Sequence, residues 1–278
     1  MMHLFHLVSE RCSRDTTEQY STSFFSAIKL LHKDLRQPVF NIYGFVRVAD
    51  EIVDSFHDFD KTVLLAQFKQ ETYAAIERGL SLNPILNSFQ KTVNEYGISG
   101  DLIEAFFTSM EMDLDKKVYN YDGYHDYIYG SAEAVGLMCL YIFCEGNTEK
   151  YEKLKGSARS LGAAFQKVNF LRDVKADYDD LQRTYFPGCD FKNFTNNEKI
   201  KIEEEIQQDF NDAFSGILHL PIKARFGVYV AYKYYLSLFT KIRRTKPARI
   251  MEERIRIPNY SKALIILRAG VKNQLKLI

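Results

Sequence analysis

Asn41-Ile42-Tyr43-Gly44-Phe45-Val46-Arg47-Val48-Ala49-Asp50-Glu51-Ile52-Val53-Asp54 places apolar residues at 42, 45, 46, 49, 52 and 53. That three- and four-residue spacing is the period of one helix face. The same period recurs over roughly 62–80, 100–115, 124–145, 150–177, 196–217 and 222–243. Alternation of the strand kind is brief, and no Asn-Gly or Asp-Gly turn joins two β-rich runs. Breaks are predicted at Gln37-Pro38, Asn83-Pro84, Tyr96-Gly97, Asn120-Tyr121-Asp122-Gly123 and Phe186-Pro187-Gly188. The pattern predicts one all-α domain over residues 1–278, with eight to eleven helices and no solenoid repeat.

The charge balance bounds the partners. In 278 residues, 37 Lys+Arg stand against 36 Asp+Glu, a formal charge of +1. A surface devoted to nucleic acid needs a large cationic excess, so that class is excluded. Cys12, Cys139, Cys144 and Cys189 form no CxxC pair, which points to a reducing compartment, and Cys139 and Cys144, inside an apolar run, read as buried small hydrophobes. The first residues lack the basic start and long apolar core of a secretory signal. Ala134 to Cys144 is the longest strongly apolar uncharged run, short of the ~20 residues a bilayer requires. The expectation is a cytoplasmic protein with at most peripheral contact at the inner face of a membrane.

Chemistry is concentrated in two acidic helices. Asp50 and Asp54 are four apart and share a face. One such motif alone is as easily a solvated surface. A second, Gln166-Lys167-Val168-Asn169-Phe170-Leu171-Arg172-Asp173-Val174-Lys175-Ala176-Asp177, repeats the spacing with Asp173 and Asp177. Gln166 and Asn169 extend the same polar stripe between apolar neighbours, a costly seam unless partners satisfy it. Paired carboxylates on two helices suit a hard divalent cation, Mg²⁺ or alternatively Mn²⁺, shared with substrate phosphates. No HExxH, Walker loop or GxGxxG is present to suggest zinc or a nucleotide. Arg47 and Arg172, beside the acids, are suited to diphosphate oxygens.

These residues resemble the squalene/phytoene synthase family. Tyr43 to Asp54 is similar to its first aspartate-rich helix and Gln166 to Asp177 to its second. Ser21-Thr22-Ser23-Phe24 resembles the family's diphosphate flap, Tyr127 to Met138 its cavity-lining helix, and Arg183-Thr184-Tyr185-Phe186-Pro187 its Arg-x-Tyr-x-Pro. Departures are Glu51 for Asp, Ala176 for an acid, Thr22 for the flap lysine, and one extra residue before Arg183 with Gln182 where Gly is usual.

The resemblance implies an isoprenoid-synthase helical bundle around a central cavity. It implies metal ligands Asp50, Asp54, Asn169, Asp173 and Asp177, with Tyr43 and Tyr127 beside them at the catalytic centre. It further implies substrate contacts from Ser21, Ser23, Phe24, Arg47, Ser131, Val135, Gln166, Arg172, Arg183 and Tyr185. The activity it suggests is Mg²⁺-dependent, head-to-head condensation of two geranylgeranyl diphosphates through a cyclopropyl diphosphate to phytoene, a carotenoid precursor. That reaction uses no NADPH. Dehydrosqualene or squalene synthesis from two farnesyl diphosphates is the alternative, as is a non-catalytic assembly subunit or a helical interaction module. The basic run Lys241 to Lys246, with Arg249, Arg254 and Arg256, reads first as a solvated helix end, and second as a contact for anionic lipids or, at Arg254 or Arg256, for a diphosphate.

Overall fold

The computed structural model describes residues 2–115, 118–179, 183–189, 191 and 194–275. Among them the chain forms thirteen α-helices: α1 (Met2–Tyr20), α2 (Thr22–Ile28), α3 (Lys33–Asp54), α4 (Lys61–Arg78), α5 (Pro84–Tyr96), α6 (Gly100–Asp115) and α7 (Tyr121–Ile128). Then follow α8 (Ala134–Cys144), α9 (Thr148–Asp179), α10 (Asn196–His219), α11 (Ile222–Arg243), α12 (Pro247–Glu252) and α13 (Asn259–Gln274). This is an all-α bundle; its one β feature among the described residues is an isolated bridge between Val118 and Thr184.

The local sequence explains most boundaries. Asn83 caps α5, with Pro84 at the position where its missing N–H costs nothing, and Gly97 closes the helix at φ 63°. Asn120 caps α7 through Gly123 N. Thr195 and Glu198 form a reciprocal capping box on α10. The predicted break at Gln37-Pro38 does not occur. Pro38 sits inside α3, where it forfeits one backbone hydrogen bond near the helix start. Burial of Leu35, Val39, Ile42 and Phe45 on either side holds the helix through it. The count exceeds eight to eleven because α2 and α12, of 7 and 6 residues, are too short to show a period.

Between α7 and α8 the helix continues through a π turn, Tyr129–Glu133. A Cβ on Gly130 would lie 2.2 Å from the Ala105 carbonyl oxygen of α6, so the close packing of this turn on α6 requires glycine. The combined rod, Tyr121–Cys144, is long and apolar enough to cross a membrane by length and composition. It packs against α3, α6 and α9, as the core helix of a bundle does. Two adjoining hydrophobic clusters make the core, one built largely from α3–α6 and α8, the other from α9–α11.

Candidate active site

A cavity of about 430 Å³ runs between α2, α3, α8, α9, α10 and α11. Two helices set its polarity. From α3, Val39, Ile42, Tyr43, Val46, Arg47 and Asp50 line it in order. From α9, Leu154, Ala158, Leu161, Phe165, Gln166, Asn169 and Arg172 do the same. Both helices are apolar at the deep end and turn polar at the other. Asp54, Asp173 and Asp177 lie on the turns just beyond. The two acidic motifs thus meet at one mouth.

Asp50 exposes 33% of its side chain, onto the cavity wall. Burial and the neighbouring Asp54 push its pKa up to about 7, against the pull of Arg47. Asp177 is pushed up to about 8 by burial, Asp173 and Asp54. That influence of Asp54 on Asp177 couples the two motifs across the mouth. Each of the other acids holds an arginine. Asp173 accepts from Arg172 Nε at 3.0 Å and pairs with Arg254 Nε at 2.7 Å. Asp54 accepts from Arg183 Nη1 at 2.8 Å. Arg47 pairs with Glu51 and lies 3.9 Å from Asp50, with its guanidinium 4.3 Å from the Tyr20 ring centroid. Arg47 Nε is nevertheless buried without a hydrogen-bond partner.

Asp113 of α6 is a member of this centre that the motifs did not disclose. It is 7% exposed and accepts from three tyrosines: Tyr127 at 2.7 Å, Tyr119 at 3.1 Å and Tyr185 at 3.3 Å. Its backbone carbonyl accepts from Arg183 Nη2 at 2.9 Å, while Arg183 Nη1 stands 3.6 Å from Oδ1. Burial raises the Asp113 pKa to about 6, although Arg183 and the tyrosine hydroxyls lower it. Arg183 therefore bridges Asp54 to a buried polar knot. The only hint in the sequence was a helix ending Met112-Asp113-Leu114-Asp115, with no spacing to tie it to the other acids.

Aromatic side chains close the wall beside the acids. Phe24 of α2 lies among Tyr43, Phe165 and Tyr235, with ring centroids 5.7–6.1 Å away. Phe165 and Tyr235 stack at 3.9 Å, and the Tyr235 hydroxyl donates to Asn169 Oδ1 at 3.2 Å. Burial pushes the Tyr43 hydroxyl up to about 12, opposed by a hydrogen bond with Ser21. In the π turn, Ser131 Oγ donates to the Tyr127 carbonyl and accepts from Gln166 Nε2 at 3.2 Å.

Of the predicted residues, Ser21, Phe24, Tyr43, Arg47, Asp50, Tyr127, Ser131, Val135, Gln166, Asn169 and Arg172 line the cavity. Tyr127 does so with its hydroxyl turned to Asp113. Tyr185 and Arg183 belong to the knot behind the mouth, and Ser23 is half-buried outside the lining. Arg254 is exposed, and it also lines the cavity edge and pairs with Asp173. Arg256 is exposed, its carbonyl taken by Lys241. Lys262 of α13 brings an ammonium to the Ser21–Phe24 segment by donating to Thr22 Oγ1 at 2.9 Å. Gln182 lies outside the described residues.

Among the described residues no three His, Cys, Asp or Glu side chains converge on one point. The four aspartates instead stand as two facing pairs, and two of them hold protons more tightly than exposed carboxylates do. An all-oxygen set with that proton affinity fits a hard divalent cation, which takes the place of the proton.

Comparison with known proteins follows the same lines. The family model described as squalene/phytoene synthase matches residues 17–261. A presqualene diphosphate synthase of Rhodopseudomonas palustris is 30% identical over 172 residues, which cover 60% of this chain and 58% of that protein. A phytoene synthase of Arthrospira platensis is 25% identical over an alignment of 285 positions, which covers 93% of this chain and 91% of that protein. The crystal structure of a dehydrosqualene synthase shares the fold with a TM-score of 0.82, at 19% identity and 98% coverage of both chains. With the family match spanning both acidic motifs and the helices between them, the chain belongs to the squalene/phytoene synthase family of head-to-head isoprenyl diphosphate synthases.

Proposed function

We propose that the protein joins two farnesyl diphosphates head to head, through the cyclopropyl presqualene diphosphate, to a C30 product. The carrying observation is the cavity itself: carboxylates and arginines at its mouth, apolar walls behind, and a bulky floor. Phe143, with Leu31 and Leu220, lies at the apolar end. It is twelve residues beyond Ser131 on the same rod, about 18 Å at 1.5 Å per residue. An apolar arm closed by these three side chains limits the tail it takes, and we read that limit as the C15 chain. The C30 reading also agrees with the 30%-identical relative, a presqualene diphosphate synthase. It departs from the expectation of phytoene drawn from the motifs. The 25% identity to a phytoene synthase along nearly the whole chain is what favours geranylgeranyl diphosphate as a second reading.

Mg²⁺ bound by Asp50, Asp54, Asn169, Asp173 and Asp177 would supply Lewis-acid charge to the departing diphosphate. The chain's own residues do the rest. Arg47, which lines the wall, takes a diphosphate oxygen, joined by Arg172 and Arg254. These fixed cations favour the ionised state over the bound ester. Phe24, Phe165 and Tyr235 keep water from the allylic cation and present ring faces to it. Gln166 and Ser131, hydrogen-bonded to each other, orient the chain between the two ends.

Incubation with farnesyl or geranylgeranyl diphosphate and Mg²⁺, with and without NADPH, followed by analysis of diphosphates and hydrocarbons, tests this. Presqualene diphosphate, dehydrosqualene or squalene from farnesyl diphosphate is expected. Phytoene from geranylgeranyl diphosphate alone would replace the proposal with the second reading. Consumption of neither would end both.

A further inference from the structure

The C-terminal helix α13 has apolar residues on two sides. Ile265, Ile266 and Ala269 face the bundle, where the helix packs on α11. Tyr260, Leu264, Leu267, Val271 and Leu275 lie on the opposite side and are 44–76% exposed. Their spacings of four, three, four and four make one continuous stripe along the helix. Isolated exposed leucines mean little, but a contiguous stripe marks a contact surface. Within the helix the charge has one sign, the exposed acids Glu252 and Glu253 lying before it in the α12 connection. Asn259–Gln274 contains Lys262, Arg268 and Lys272 and no Asp or Glu. Arg268 and Lys272 border the stripe at helical spacing. At the base of the helix, exposed Lys241 and Arg256 add two more cations.

We infer that this outer face of α13 docks the protein on the surface of an anionic phospholipid bilayer. An apolar stripe edged by cations and free of acids matches the acyl boundary and headgroup layer of such a surface. A second copy of the chain would bring the same cations against each other, which disfavours that occupant. The placement also bears on the cavity. Lys262 at the start of α13 touches Thr22, next to the mouth residues Ser21 and Phe24. Docking therefore sets the cavity mouth beside the lipid surface. The inference stands on the helix face alone and is independent of the reaction proposed above.

Vesicle co-sedimentation of the full chain tests it. With vesicles of about 30% phosphatidylglycerol in phosphatidylcholine, binding is expected to be about tenfold tighter than with phosphatidylcholine alone. Raising NaCl from about 0.1 M to about 0.5 M weakens it several-fold. The double variant Leu264→Glu, Leu267→Glu lowers affinity about tenfold while keeping the native melting temperature. The variant Arg268→Glu, Lys272→Glu removes the preference for phosphatidylglycerol and leaves the weak neutral-vesicle binding. Equal binding by native protein and the leucine variant would overturn the inference. So would a native dimer that fails to sediment with vesicles and that the leucine substitutions convert to monomer, since the face would then join two copies.

Discussion

Asp113 accepts from Tyr119, Tyr127 and Tyr185 and stands beside Arg183, all in a region 2–7% exposed. Removing one partner from such a buried network leaves the others unsatisfied, and the Arg183 charge loses half its compensation. Asp113→Ala is therefore expected to cost about 3–5 kcal/mol in urea unfolding. A loss within about 1 kcal/mol would mean that water replaces the carboxylate at no cost and the knot is not structural. Asp50 and Asp177 make a different prediction. Their folded pKa values, about 7 and about 8, exceed the ordinary 3.8. Between those limits the folded protein binds more protons than the unfolded chain, so these groups destabilise it progressively as pH rises from about 4 to about 8. A divalent cation competes with those same protons. The rise in Tm on adding Mg²⁺ should be small near pH 5.5 and several-fold larger near pH 8.5. Equal rises at both pH values would place the cation away from Asp50 and Asp177.

Helices are where the sequence was most legible. The spans predicted at 222–243 and 100–115 coincide with α11 and α6, because a one-sided apolar face has a single period to detect. Helix α13 shows no such clear period, because it carries apolar side chains on both faces. The two acidic motifs were legible because each is a local four-residue spacing on one helix. Asp113 was not, because its partners come from the segments around residues 119, 127, 183 and 185, which only the tertiary fold assembles. The π turn was hidden for another reason: Gly130 has no local signature, and its need for glycine arises from the carbonyl of Ala105 on α6. A paired substitution isolates that cause. At Gly156, an exposed position of α9, a Cβ meets nothing within 4 Å, so Gly156→Ala should stabilise by about 0.5–1 kcal/mol through helix propensity alone. Gly130→Ala offers the same propensity but drives Cβ into backbone, and should destabilise by about 1–3 kcal/mol. Urea unfolding of both variants checks this; two stabilised variants would mean that α6 and the π turn separate freely.

Over the whole molecule, the helices place carboxylates and arginines at one end of the cavity and apolar side chains at the other; in the proposed reaction the first end would ionise the diphosphate and the second would select chain length. The formal charge of +1 concealed this polarity, since carboxylates and arginines offset one another at the mouth while the described residues lining the far end are uncharged. Chain-length selection then depends on how far a prenyl tail runs before meeting Phe143, Leu31 and Leu220. Discrimination by an apolar pocket is worth about 1–3 kcal/mol per methylene, so a floor that excludes one five-carbon unit suffices to choose between C15 and C20. Phe143→Ala removes the floor ring. It should cost about 3–5 kcal/mol of stability, as large-to-small core changes do, and the space it opens lies in line with the tail. In competition between the two substrates, the variant's geranylgeranyl-to-farnesyl ratio of kcat/KM should rise about tenfold or more. Val135 lines the same wall nearer the mouth, so Val135→Phe should instead block both tails and lower turnover of each. Product chromatography from mixed substrates reads both variants at once. A folded Phe143→Ala enzyme with an unaltered ratio would show that the limit on chain length lies elsewhere in the cavity, and with it the physical argument for a C30 product would fall.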